Sequence, residues 1–99
     1  MALYVIAYDI GDLENGGQKR LSRVAKTCEH QGQRVQNSVF EFFLTYDEFI
    51  LLRNQLLKLI DLNADSLKIY KLGNNYESKK ESYGCKDSLD LGKGNAVFF

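Results

Sequence analysis

Arg34-Val35-Gln36-Asn37-Ser38-Val39-Phe40-Glu41-Phe42-Phe43-Leu44 is the stretch whose reading decides the fold. It is rich in Val and Phe, residues that suit a pleated, half-buried surface. Eleven residues is nevertheless long for one strand. The polar Gln36-Asn37-Ser38 in its middle predicts a bend, a bulge or a tight hairpin. Upstream, Leu21, Val24, Ala25 and Cys28 recur at three- and four-residue spacing, the apolar stripe of a helix from about Gln18 to Gln31. Gly32 stands where a left-handed C-cap is expected. Further back, Leu3-Tyr4-Val5-Ile6-Ala7-Tyr8 is apolar at odd and even positions alike, which predicts a strand covered on both faces. Asp9-Ile10-Gly11 ends it, and an acidic, glycine-rich loop follows from Asp12 to Gly17.

Downstream, Thr45 and Glu48 have capping-box spacing before an apolar run. Phe49, Leu52, Leu56, Leu59 and Ile60 form a broad helical stripe, widened by Ile50, Leu51 and Leu57, so this helix is expected to be well buried. Asp65-Ser66 then introduces Leu67, Ile69 and Leu72 alternating with Lys68, Tyr70 and Lys71, a half-exposed strand. The order strand, helix, bent strand or hairpin, helix, strand is that of an α+β, ferredoxin-like βαββαβ domain over residues 1–73. Residues 74–95 are polar and lack periodicity, and the chain ends in Ala96-Val97-Phe98-Phe99. The expectation for residues 74–99 is a polar arm with an extra C-terminal strand. That strand either adds to a sheet edge, such as that of a second copy, or folds back onto its own core.

Ninety-nine residues bound the chain to one domain and exclude any large enzyme architecture. Hydrophobic residues at 44% and charged residues at 26% exclude a disordered composition. No apolar run approaches the ~20 residues of a membrane span, and Met1–Ile10 lacks the basic start and small-residue cleavage site of a signal peptide. A cytoplasmic protein with no membrane partner is therefore expected. Cys28 and Cys85 have no CxxC spacing, and the chain has one histidine, His30, so both read as plain thiols.

Thirteen bases balance thirteen acids, but unevenly. Residues 1–18 carry three acids and no base. Residues 19–34 carry Lys19, Arg20, Arg23, Lys26 and Arg34 against Glu29 alone, and residues 67–80 carry Lys68, Lys71, Lys79 and Lys80 against Glu77. Such patches suit a polyanion better than the zero total suggests.

Several of these segments carry a resemblance. Tyr8-Asp9-Ile10, Lys19-Arg20-Leu21-Ser22-Arg23-Val24-Ala25-Lys26, Gly32-Gln33-Arg34-Val35-Gln36-Asn37-Ser38-Val39-Phe40-Glu41, Asp65-Ser66-Leu67 and Tyr70-Lys71-Leu72-Gly73, in this order, resemble the small CRISPR-associated adaptation protein family. It is also called the CRISPR-associated endoribonuclease, the partner of the CRISPR integrase. The resemblance implies a homodimer in which the last strand completes the partner's sheet. It implies a divalent-metal-dependent phosphodiesterase centred on Asp9, acting on RNA or DNA. It also implies a role in spacer acquisition, bridging the integrase and a duplex DNA fragment.

On that basis Asp9 is the expected catalytic and metal-holding residue, with Mg2+ or Mn2+ as the cofactor. Metal-assisted phosphodiester hydrolysis needs a carboxylate for the cation and positive charge for the phosphate. One carboxylate makes a poor site, but a two-fold axis near Asp9 would supply two. The alternative is that Asp9 only accepts hydrogen bonds from the turn that follows it. Asp12 and Glu14 are additional acidic candidates. His30 has no Ser, Cys or carboxylate placed to make a triad with it. Arg20, Arg23 and Arg34 are candidate nucleic-acid contacts, since guanidinium binds phosphate through two parallel hydrogen bonds. Tyr8 and Phe40 match family positions near a cleft, with core packing as the alternative for Phe40. Three functions stay open: a metal-dependent endonuclease, a non-catalytic nucleic-acid scaffold, and a ferredoxin-like regulatory or toxin-type module.

Overall fold

The computed structural model describes residues 1–74 and 81–84. Its elements are β1 (Ala2–Asp9), α1 (Gly17–Gln31), β2 (Gln33–Gln36), β3 (Val39–Leu44), α2 (Tyr46–Leu59) and β4 (Ser66–Gly73). A short 3-10 turn, Leu13–Asn15, interrupts the loop before α1. The decisive stretch is a hairpin: β2 and β3 pair antiparallel around Asn37-Ser38, with a register shift between Arg34 and Gln36. The sheet runs β2-β3-β1-β4 with every neighbouring pair antiparallel. This is the ferredoxin-like α+β arrangement expected from the element order.

Strand alternation puts Tyr4, Ile6 and Tyr8 of β1 on one face with Phe40, Phe42 and Leu44 of β3. These residues join Val24 and Cys28 of α1 and Phe49, Leu52 and Leu56 of α2 in one buried cluster. Phe49 lies flat on Tyr4, with ring centroids 4.1 Å apart and planes within 2°. The capping box at α2 is complete: Glu48 N–H donates to Thr45 Oγ1 at 3.2 Å, and Thr45 N–H donates to Glu48 Oε1 at 2.9 Å.

Three details differ from expectation. First, both helices pack on the same face of the sheet, so β1 is not covered by helices on both sides. Val5, Ala7 and Asp9 of β1, Val39 and Phe43 of β3, and Lys68 and Tyr70 of β4 occupy the opposite face by alternation and register. Phe43 is 48% exposed there and Tyr70 53%. Second, Leu51 and Leu57 of α2 are exposed, because the sheet and α1 bury only the side carrying Phe49, Leu52 and Leu56. Third, Gly32 is not left-handed; its backbone is extended. Glycine is required there for a different reason, since a Cβ would stand 2.5 Å from Cε2 of the Phe42 ring.

The alternation of β4 breaks at Leu72 because the ladder to β1 shifts register between Leu3, opposite Gly73, and Tyr4, opposite Lys71. Lys71, still in step with Leu67 and Ile69 and opposite Tyr4, lies on the helix face, its Nζ 5.4 Å from the Phe49 ring centroid. The expected polar arm and terminal strand lie outside the described residues, apart from positions 74 and 81–84, and so does Cys85.

Candidate functional site

Asp9 is the last residue of the central strand β1, exposed and opposite Ser66 of β4. Ile10 is buried directly after it and anchors the strand end in the core. Gly11 comes next and is held at both of its backbone polar groups. Its N–H donates to Asp65 Oδ1 at 2.9 Å, and its carbonyl accepts from Arg20 Nη2 at 3.0 Å. Arg20 also donates from Nε to Asp65 Oδ2 at 2.8 Å and from Nη2 to Oδ1 at 3.1 Å. A fourth donor, Asp61 N–H, reaches Oδ2 at 2.8 Å. The Asp65 side chain is fully shielded from solvent, while that of Arg20 is 19% exposed.

The Arg20 hydrogen bonds lower the Asp65 pKa to about 2, helped by the Asp61 and Gly11 amides and opposed by desolvation. A depressed folded-state value contributes stability that is present above the unfolded value of ~3.9 and disappears as pH falls toward the folded one. Between pH 4 and pH 2 the wild type should therefore lose stability more steeply than Asp65→Asn, which has no carboxyl to protonate there. Urea midpoints measured at half-unit pH steps check this; parallel curves would mean that the ion pair adds nothing.

The loop from Asp12 to Gly17 is closely folded. Asp12 adopts a left-handed conformation at φ 54°, its carbonyl accepts from Asn15 and Gly17 N–H at 3.0 Å each, and its carboxylate accepts from Asn15 Nδ2 at 3.1 Å. A Cβ on Gly17 would lie 2.3 Å from the Gly11 carbonyl oxygen, so the start of α1 rests directly on the backbone after Asp9. Asp12 thus ties its own turn, and Glu14 is exposed in the 3-10 turn. Among the described residues, no group of three or more His, Cys, Asp or Glu could hold a metal ion. Asp9 by itself would supply one hard oxygen ligand. Such a ligand would fit a Mg2+ ion keeping most of its waters and would not fit a closed protein cage.

The three arginines have different surroundings. Arg20 is engaged in the pair with Asp65, which the sequence reading of it as a phosphate contact did not include. Arg34 lies over the Phe40 ring at 4.8 Å, donates to the Asn37 carbonyl at 2.6 Å and pairs with Glu29. Arg23 is exposed on α1 between Lys19 and Lys26, also exposed. The spacing 19, 23, 26 puts these three on one stripe about two helical turns long. With Arg20 and Arg34 each beside a carboxylate, this stripe is what remains of the basic segment for a polyanion.

Tyr8 and Phe40 do not line a cleft beside Asp9. Both rings are buried on the helix face, 6.2 Å apart, whereas Asp9 belongs to the opposite face by strand alternation. Burial raises the Tyr8 pKa, with Cys28 and Glu29 reinforcing it and Arg34 opposing. Cys28, also buried, is pushed up to about 12, which makes it an inert thiol as expected. His30 is exposed in the last turn of α1. Sequence reasoning gave Asp65 no part in the site, placing it only at the start of a strand and in one of the segments that carry the resemblance. No local pattern links it to Arg20, 45 positions away.

The profile of the family described as "CRISPR associated protein Cas2" matches residues 1–80. The chain belongs to this family. A Cas2 relative from Halalkalibacterium halodurans, named CRISPR-associated endonuclease Cas2, is 51% identical over 89 residues, covering 90% of this chain and 93% of that one. Another, from Rhodospirillum rubrum, named CRISPR-associated endoribonuclease Cas2 3, is 40% identical over 89 residues, 90% of this chain and 94% of its own. The crystal structure of Streptococcus pyogenes Cas2 superposes with a TM-score of 0.70 at 41% identity, covering 83% of this chain and 99% of that chain. The span matched by the family profile, residues 1–80, includes Asp9, Arg20 and Asp65. Among the described residues no helix is long and apolar enough to cross a membrane.

Proposed function

We propose that this protein is a metal-dependent endonuclease of CRISPR adaptation that works as a homodimer. The observation that carries the proposal is the position of Asp9, an exposed carboxylate at the end of a rigid central strand, on a sheet face bearing the exposed rings of Phe43 and Tyr70. A mixed face with exposed aromatic rings can pack against its own copy under two-fold symmetry. Packing two copies through it brings two Asp9 carboxylates toward one axis, which supplies the second oxygen ligand that one subunit lacks.

The two carboxylates would hold Mg2+ or Mn2+, hard cations that take oxygen ligands. Bound there, the cation supplies Lewis-acid polarisation of the phosphate and activation of a water. The chain's own part is to fix Asp9 and to bind the polyanion. Lys19, Arg23 and Lys26 track phosphates along duplex DNA or single-stranded RNA without reading bases. In spacer acquisition the same dimer bridges the CRISPR integrase and a DNA fragment, which is what the family resemblance supports.

The single carboxylate per subunit favours one further reading, a scaffold that binds nucleic acid through the same stripe and does not cut. Two measurements separate these readings. Sedimentation equilibrium should show a dimer. Cleavage of RNA and duplex DNA should stop with chelator and return with Mg2+ or Mn2+. A dimer that binds DNA with a steep salt dependence yet never cleaves supports the scaffold. A monomer, or a chain whose binding is indifferent to salt, overturns both and leaves the regulatory or toxin-type module.

A further inference from the structure

We infer that Arg20 and Asp65 are a positioning pair for Asp9, and that Arg20 is not a phosphate contact. The inference rests on the nuclease reading above and deepens it.

The geometry concentrates on one peptide. Gly11 lies two residues beyond Asp9, and both of its backbone polar groups are held by the pair. On its far side a Cβ would meet the Ala64 carbonyl oxygen at 2.5 Å, so the chain just before Asp65 abuts Gly11 without a gap. Ser66, next to Asp65, is the ladder partner of Asp9 itself. The exit of β1 is therefore gripped from α1 by Arg20 and from the α2–β4 connection by Asp65. A carboxylate on the last residue of a strand would otherwise share the fraying of that strand end. With the next peptide but one fixed, the path of the backbone through Asp9 is fixed too.

The hydrogen-bond inventory excludes a bidentate phosphate contact through the Nε–Nη2 edge and leaves only the two Nη1 hydrogens outside the pair. Of the five guanidinium donors, Nε–H and both Nη2 hydrogens are already directed to Asp65 and Gly11. A phosphate taking that fork would leave the shielded Asp65 carboxylate without its counter-charge, a costly state. Lys19, Arg23 and Lys26 bear no such cost.

The two roles predict opposite results for Arg20→Lys and Asp65→Asn in the full chain. Lysine keeps the charge but cannot bridge both carboxylate oxygens and the Gly11 carbonyl. As a positioning pair, each substitution should lower kcat for metal-dependent cleavage by roughly 10–100-fold, the scale seen when groups that orient a ligand are removed. KM, the affinity for duplex DNA and its salt slope should stay at wild-type values. Amide hydrogen exchange at Gly11 should accelerate in both, with or without metal. As a phosphate contact, Arg20→Ala would weaken DNA binding and reduce the salt slope by about one, while Asp65→Asn would release Arg20 and tighten binding. Either of those results overturns the inference, as does an unchanged kcat in Asp65→Asn. If Asp65→Asn does not fold, Arg20→Lys decides alone through its kcat and Gly11 exchange. Should Asp9→Asn retain cleavage, the nuclease reading fails instead, and Gly11 exchange still reports whether the pair holds the strand end.

Discussion

Asp9→Asn is expected to lower metal-dependent cleavage by at least ~10²–10³-fold, the scale of losing one preorganised charge contact to the reacting group. The substitution keeps the size and planarity of the side chain and removes its charge, the property that holds a divalent cation. Asp9 is exposed and its backbone keeps its place in the ladder opposite Ser66, so the fold has no reason to suffer. Stability should stay within about 0.5 kcal/mol of wild type, as for most surface changes. Binding to duplex DNA should be retained, because the basic stripe of α1 is untouched. Steady-state cleavage, filter binding and a urea melt on the same preparation give all three answers. Cleavage at the wild-type rate would remove Asp9 from the chemistry.

Phe49→Ala is expected to cost about 3–5 kcal/mol, the usual range for a buried aromatic truncated to alanine. Phe49 is almost fully buried, stacks flat on Tyr4 and has Arg53 and Lys71 near its ring at 5.9 and 5.4 Å. It joins α2 to β1 and reaches the bulged end of β4, so the cavity would open where three elements meet. Against a total stability of about 5–15 kcal/mol for a domain of this size, most of the margin is at stake. Leu51→Ala, only two positions on but exposed, should change stability by less than ~0.5 kcal/mol. Urea midpoints for the two variants test the pair together; equal losses would mean that α2 is packed on a different face.

The fold was legible because its signals are local. The capping box at Thr45 and Glu48, the stripe of Leu21, Val24 and Cys28, and the polar interruption at Asn37-Ser38 each report on neighbours a few residues away. Even the break in alternation at Leu72 stands in the sequence, although only the register with β1 gives its cause. Burial was less legible. Leu51 and Leu57 are apolar like Leu52 and Leu56, and no periodicity says that just one side of α2 meets the sheet. The two faces of β1 look alike in sequence for the same reason.

Charge shows the limit most clearly. In sequence Arg20, Arg23 and Arg34 are three equivalent cations in one basic segment. In the folded chain Arg20 faces Asp65, Arg34 faces Glu29, and Arg23 stands exposed with Lys19 and Lys26. The sequence by itself determined the order of strands and helices and the family, because each depends on short-range pattern or on a contiguous motif. Which arginines meet a carboxylate, which sheet face stays open, and what grips the backbone beside Asp9 were decided only by tertiary structure. Those contacts join residues dozens of positions apart, and an ion pair leaves no trace in sequence until the chain has brought its two ends together.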